Sequence, residues 1–195
     1  QTFWVKRTKK KKFNISKFRN HSTLEIFSTW SPYNRGLIYH NFLIFNYINN
    51  FPKDKFIKIF KQCKIKNFGN PPSINFENNN ITFDDCWTIE EIQFLKKQKR
   101  KFKNIIEIGA GYGRSSHSII NYFNIENYVI IDLKNINLLS KNYLSNTLPI
   151  SKFRKIKFID FESFNFDQNY FQNILKSINI KKFDLVINID SFQEM

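Results

Sequence analysis

Cysteine is scarce in this chain of 195 residues, with only Cys63 and Cys86 present. Two thiols make no disulfide framework and give no metal-ligand spacing. A reducing, cytoplasmic setting is therefore the default expectation. Long apolar runs are missing as well. The most apolar stretch, Leu37 to Ile48, is broken by His40, Asn41 and Asn46. It falls short of the roughly 18 apolar residues that a membrane-spanning helix needs. The first residues are basic and polar, with no apolar core and no small-residue cleavage site, so no signal peptide is predicted. Acidic residues are few, 16 against 31 basic ones, which gives a net charge of +15 and a pI near 9.8. Arginine is scarce too: six of the 31 are Arg and 25 are Lys. A nucleic-acid surface favours Arg for bidentate phosphate contacts. The Lys, Asn, Ile, Phe and Tyr excess matches codons rich in A and T. We read the charge as compositional rather than as a nucleic-acid footprint.

The hydrophobic fraction of 42% allows a sizeable core, and 23 Phe must be placed somewhere. Residues 1 to about 30, with the run Lys9 to Lys12, read as a solvated arm with one short ordered piece. Ser31-Pro32 predicts a helix start. The helix then runs to about Asn49, with Leu37, Ile38, Phe42, Phe45 and Ile48 at helical spacing. A second helix is expected over Lys53 to Lys64, ended by Gly69-Asn-Pro-Pro72. Asn78 to Asn80 reads as a turn between short strands. Thr88 with Glu91 makes a capping box, and Trp87 with Ile92 a hydrophobic staple. Ile89, Ile92 and Leu95 share the buried face of that helix, which runs to about Lys101.

From Lys103 onward strands and helices alternate. Strands are expected at Asn104–Ile108, Tyr128–Ile131, Ile156–Ile159 and Phe183–Ile189. Helices are expected at Gly113–Phe123, Leu138–Leu144 and Tyr170–Ile178. Continuous apolar strands alternating with helices imply a mainly parallel sheet covered on both faces. The expected class is α/β, a Rossmann-like three-layer α/β/α fold with about four strands. The expected division is a basic, mostly helical extension over residues 1–86 and the α/β domain over 87–195.

The string Glu107-Ile-Gly-Ala-Gly-Tyr-Gly113 joins the first of these strands to its helix. In an open parallel sheet, ligands bind beyond the carboxyl ends of the strands. A helix N-terminus adds free N–H groups and partial positive charge. The spacing Gly109-x-Gly111-x-Gly113 is one residue shorter than the dinucleotide pattern, and Arg114 stands where that pattern has its third glycine. Glu107 lies inside the strand, where a carboxylate suits a cationic ligand better than a pyrophosphate. Asp132 follows Gly113 by 19 residues, near the roughly 20 expected of an acid that holds ribose hydroxyls. S-adenosylmethionine, with its ammonium and sulfonium, fits these features together.

This string resembles the first motif of the class I, Rossmann-like S-adenosylmethionine-dependent methyltransferases. The similarity extends to Ile130-Ile-Asp-Leu133. It extends also to Asp184-Leu-Val-Ile-Asn-Ile-Asp-Ser-Phe-Gln-Glu-Met195, which is similar to the sugar O-methyltransferase family. It covers about residues 65 to 195. Ala110 departs from the family, which often has glycine there. The resemblance implies a methyltransferase fold in which the first strand lies between the second and the fourth. It implies that Glu107 faces the methionyl ammonium and that Gly109, Ala110, Gly111, Tyr112 and Gly113 line the cofactor. It also implies that Asp132 and Leu133 flank the ribose, that Asp160 bonds the adenine amino group, and that Asn188 and Ile189 line the methyl-donor side. Asp190 and Glu194, just past the fourth strand, are the candidate general bases, with Glu194 favoured. His117 reads as a polar helix-face residue and Tyr112 equally as a structural aromatic. His21 and His40 have no identifiable partners, and Trp30 and Arg35 are candidates for an acceptor-side cap.

The expected acceptor is a sugar, glycan or sugar nucleotide. RNA methylation and a non-catalytic binding module are the alternatives. The chain opens on Gln1 and stops at Met195 directly after a strand pattern, so a piece of a longer protein is expected. The bare edge of the fourth strand is then expected to promote self-association.

Overall fold

A computed structural model describes residues 16–19, 36–63, 68–164 and 168–189. Contacts divide the chain into two units that join in sequence at Lys99 and Arg100.

The N-terminal unit contains helices α1 (Leu37–Asn49) and α2 (Lys53–Cys63), a hairpin of β1 (Ser73–Phe76) and β2 (Asn79–Thr82), and helix α3 (Phe83–Lys97). The predicted start at Ser31-Pro32 lies outside the described residues. Helix α1 buries His40, Ile44 and Ile48, whereas Ile38, Phe42 and Phe45 are exposed. The spacing pattern therefore picked out only Ile48 of the buried stripe, because this uncharged helix is apolar on nearly every side. Helix α2 buries Phe56, Ile59, Phe60 and Cys63. The hairpin turns at Glu77 and Asn78, both with positive φ (48° and 60°), as a two-residue turn of primed type requires.

Strand β2 runs directly into α3. Thr82 is the cap: its hydroxyl accepts from the Asp85 amide at 3.2 Å, and the Asp85 carboxylate accepts from the Thr82 amide at 2.8 Å. The capping box at Thr88–Glu91 and the Trp87–Ile92 staple are thus incorrect. Trp87 stands inside the helix, edge-on to Phe83 at 4.7 Å. Ile89, Ile92 and Leu95 are buried as expected. Because α3 packs with α1, α2 and β2, the division falls after Lys99 rather than after residue 86.

The second unit is an α/β layer structure. Its strands are β3 (Asn104–Ile108), β4 (Asn127–Asp132), β5 (Ile156–Asp160) and β6 (Leu185–Asn188). Its helices are α4 (Arg114–Tyr122), α5 (Lys134–Thr147), the short α6 (Ile150–Phe153) and α7 (Phe161–Phe164), and α8 (Gln168–Ser177). The four strands are parallel in the order β5-β4-β3-β6. The first expected strand therefore lies between the second and the fourth. Ile106, Val129, Ile131 and Ile159 form one core against Phe171, Ile174 and Leu175 of α8. On the opposite face, the Glu107 carboxylate accepts from Tyr128 of β4 and from Ser116 of α4. Helices therefore cover both faces. At one side of the described sheet, β6 leaves Val186 61% exposed.

Lys103 and Asn104 anchor the sheet at its other end. Their amides both donate to the Asp184 carboxylate, at 2.8 and 2.9 Å. These bonds hold the Asp184 carboxyl below its usual range.

Candidate functional site at the carboxyl ends of the strands

Register brings most of the expected site residues together. Ile108 is paired with Ile131 and with Asn188, and Asp132 is paired with Asp160. The carboxyl ends of the four strands thus form one line, and the loop 109–113 leaves from its middle. The Gly109 amide donates to the Ile131 carbonyl at 2.8 Å, which holds the loop against β4.

Two glycines shape the loop. Gly111 has φ +59°, and a side chain there would meet nothing within 4 Å. Its amide donates to Asp132 Oδ2 at 2.9 Å. Gly113 caps α4 at φ +94°, and a Cβ there would lie 2.9 Å from Leu144 Cδ1. Left-handed backbone costs a non-glycine residue about 1–2 kcal/mol, and the Leu144 contact adds overpacking. Gly113→Ala is expected to destabilise this unit by about 2–3 kcal/mol. Urea unfolding followed by far-UV circular dichroism checks this, and a change below about 0.5 kcal/mol would contradict it.

Asp132 is 5% exposed. Its Oδ1 accepts from the Leu133 amide at 2.7 Å and its Oδ2 from Gly111. Burial pushes its carboxyl up to about 7, opposed by these two amide bonds and reinforced by the charges of Glu107 and Glu162. Leu133 is buried beside it and caps α5.

Asp160 is half-buried, and its Oδ1 accepts from Asn137 Nδ2 at 2.8 Å. The same amide nitrogen reaches the Ile159 carbonyl at 2.8 Å and the Asp132 carbonyl at 3.2 Å. Asn137 therefore ties the ends of β4 and β5 together. Sequence reasoning missed it because the predicted helix began at Leu138, four residues after the helix starts and just past Asn137. The signal was an amide-bearing residue in the turn after an acid-terminated strand.

Glu107, the residue expected to face an ammonium, is held by two side-chain hydrogen bonds. It is 3% exposed, and its Oε2 accepts from Ser116 Oγ at 2.5 Å and Tyr128 Oη at 2.7 Å. The carboxylate lies between the sheet and α4, where it holds the first turn of that helix. Tyr112 is buried and packs edge-on against Tyr143 at 5.0 Å, the structural-aromatic reading. His117 is 1% exposed, beside Asn121 and the Tyr143 ring, so the helix face that carries it is turned to the core.

Asn188 ends β6 and donates to the Ile108 carbonyl at 3.0 Å, beside the start of the loop. Ile189 follows it, 43% exposed. Asp190, Glu194, His21, Trp30 and Arg35 lie outside the described residues. His40 is buried in the N-terminal unit, near Asn41 and the Phe83 ring.

Among the described residues no group of three or more His, Cys, Asp or Glu is placed to hold a metal ion. No helix there is long and apolar enough to cross a membrane. Cys63 and Cys86 are both buried and are not joined by a disulfide. Compared with protein-family models and with curated proteins, the chain matches none.

Proposed function

We propose that the unit from Arg100 onward binds S-adenosylmethionine and belongs to a methyltransferase that acts on a sugar hydroxyl. The observation that carries the cofactor reading is the bond between Gly111 and Asp132. It joins a short glycine loop to a buried acid at the end of the neighbouring strand. Each Asp132 oxygen takes one backbone N–H. A carboxylate has about four acceptor positions, which leaves capacity for two ribose hydroxyls. The open space over Gly111 lets a ligand come close to the backbone. Asp160 stands next in register for an adenine amino group. Glu107 serves as a positioning residue through Ser116 and Tyr128. The sugar acceptor rests on the resemblance of the string from Asp184 to Met195.

S-adenosylmethionine supplies an electrophilic methyl group on its sulfonium. The residues of this chain then have two tasks, to align an acceptor hydroxyl and to take its proton. Asp190 and Glu194 follow β6 in sequence, and β6 ends at Asn188, which donates to the Ile108 carbonyl beside the loop. They are the proposed bases, with Glu194 first.

Calorimetric titration tests the reading. S-adenosylmethionine is expected to bind at one site with micromolar affinity, and NAD is expected to give no heat. Binding of NAD in its place, or of neither, would overturn the cofactor assignment.

A further inference from the structure

The free side of β5 carries a separate concentration of charge. Between Asp132 and Asp160 the sequence has no acidic residue, yet it has six cations: Lys134, Lys141, Lys152, Arg154, Lys155 and Lys157. The fold gathers three of them around one groove of about 270 Å³. Lys141 comes from α5, Arg154 from the turn after α6, and Lys157 from β5, and all three are exposed. The floor is Phe153, Ile156 and Phe158, each half-buried, with the two rings 6.2 Å apart. A second cavity of about 90 Å³ adjoins it and shares Arg154, Ile156 and Lys157. Ion pairs among the described residues include Arg19–Asp84, Lys53–Glu77 and Lys103–Glu126. None of the three groove cations is in one. Lys152 donates to the Asn121 side-chain oxygen and Lys155 to the Ile125 carbonyl nearby.

We propose that this groove binds single-stranded nucleic acid, with phosphates on Lys141, Arg154 and Lys157 and a base over the Phe158 ring. Charge alone would suit any polyanion. Partly exposed rings between cations add a stacking surface, which is how strands are held without reading their sequence. The groove lies along the outer strand, toward the amino ends of β4 and β5. The glycine loop leaves the carboxyl end of β3. The two sites are therefore independent, and the proposal does not rest on the cofactor assignment. It also revises the reading of the charge: the total is compositional, but its placement here is not.

Fluorescence anisotropy with a labelled oligouridine tests this. The groove triple Lys141→Ala, Arg154→Ala and Lys157→Ala is compared with Lys55→Ala, Lys58→Ala and Lys61→Ala on α2, which removes the same charge. The groove triple is expected to weaken binding at least tenfold. It should also lower the salt-dependence slope by about two, at roughly 0.7 per phosphate contact on a single strand. The α2 triple should leave both nearly unchanged. All six side chains are exposed, and thermal melting confirms that both variants fold. Equal losses in the two triples, no binding by the unsubstituted protein, or equal competition by inorganic polyphosphate or polyglutamate would overturn the proposal.

Discussion

Replacing Arg19 with methionine is expected to destabilise the N-terminal unit by about 3–5 kcal/mol, the usual cost of leaving a buried charge without its partner. Arg19 is fully buried. Its Nη2 and Nε donate to Asp84 Oδ2 at 2.8 and 3.3 Å, and its Nη1 to the Phe68 carbonyl at 3.2 Å. Asp84 is 5% exposed and precedes Asp85, which is also buried. Burial already pushes the Asp85 carboxyl up to about 6, against its bonds to Thr82 and the charge of Arg19. Without the guanidinium, two adjacent acids face one apolar interior at the start of α3. The neighbourhood cannot relax easily. The Arg19 amide donates to the Gly69 carbonyl at 2.8 Å, and a Cβ on Gly69 would lie 2.6 Å from the Phe18 ring. Urea unfolding measures the effect. The double change Arg19→Met with Asp84→Leu should recover most of the loss, since an apolar pair of similar volume replaces the ion pair. A single-variant loss under about 1 kcal/mol would show that the pair behaves as a surface contact.

Asp132→Asn is expected to lower affinity for S-adenosylmethionine roughly 10- to 100-fold at pH 8. That is the ~1.5–3 kcal/mol of hydrogen bonds made to a charged acceptor. Asparagine keeps one acceptor oxygen and turns an NH₂ toward either the Gly111 amide or the ligand. The pH dependence is more diagnostic, because its two signs oppose. The folded carboxyl titrates at about 7, above its ordinary 3.8. The native state therefore holds the extra proton between these values. This group's contribution to stability is fully present below 3.8 and is lost as pH rises through about 7. At about 1.36 kcal/mol per unit, the ionised form costs on the order of 4 kcal/mol. Ribose hydroxyls donate to the ionised form, so affinity should fall about tenfold per pH unit below 7 and level off above. Asparagine should flatten both curves. An affinity independent of pH from 5 to 8 would remove Asp132 from the ligand's contacts.

The parallel sheet was legible because its strands are continuous apolar runs, and the loop because glycines punctuate the chain at a fixed spacing. The starts of helices were less legible. Two Thr-x-x-acid patterns precede the buried face of α3, and the one in use, Thr82–Asp85, ends a strand with no intervening loop. The first turn of α5, Lys134 to Asn137, has little apolar periodicity. Asn137 is buried there for its hydrogen bonds, which hydrophobic spacing does not register. The Arg19–Asp84 pair spans 65 residues, and nothing local marks it. Residues 1 to 30 read as an arm with one short ordered piece, but nothing local signals that Phe18 and Arg19 are both completely buried. Asp132 and Asp160 end neighbouring strands in register, and nothing in the sequence signals that Glu107 is held under α4.

The close approach of Gly113 to Leu144 links two helices through one shared volume. The loop and the middle of α5 therefore cannot vary independently. A lineage that gained a side chain at position 113 would need a smaller residue at 144, and even then would retain the backbone strain. Sequences related to this one should show that pairing: glycine at 113 with a large aliphatic residue at 144, and any departure at the first position accompanied by a reduction at the second.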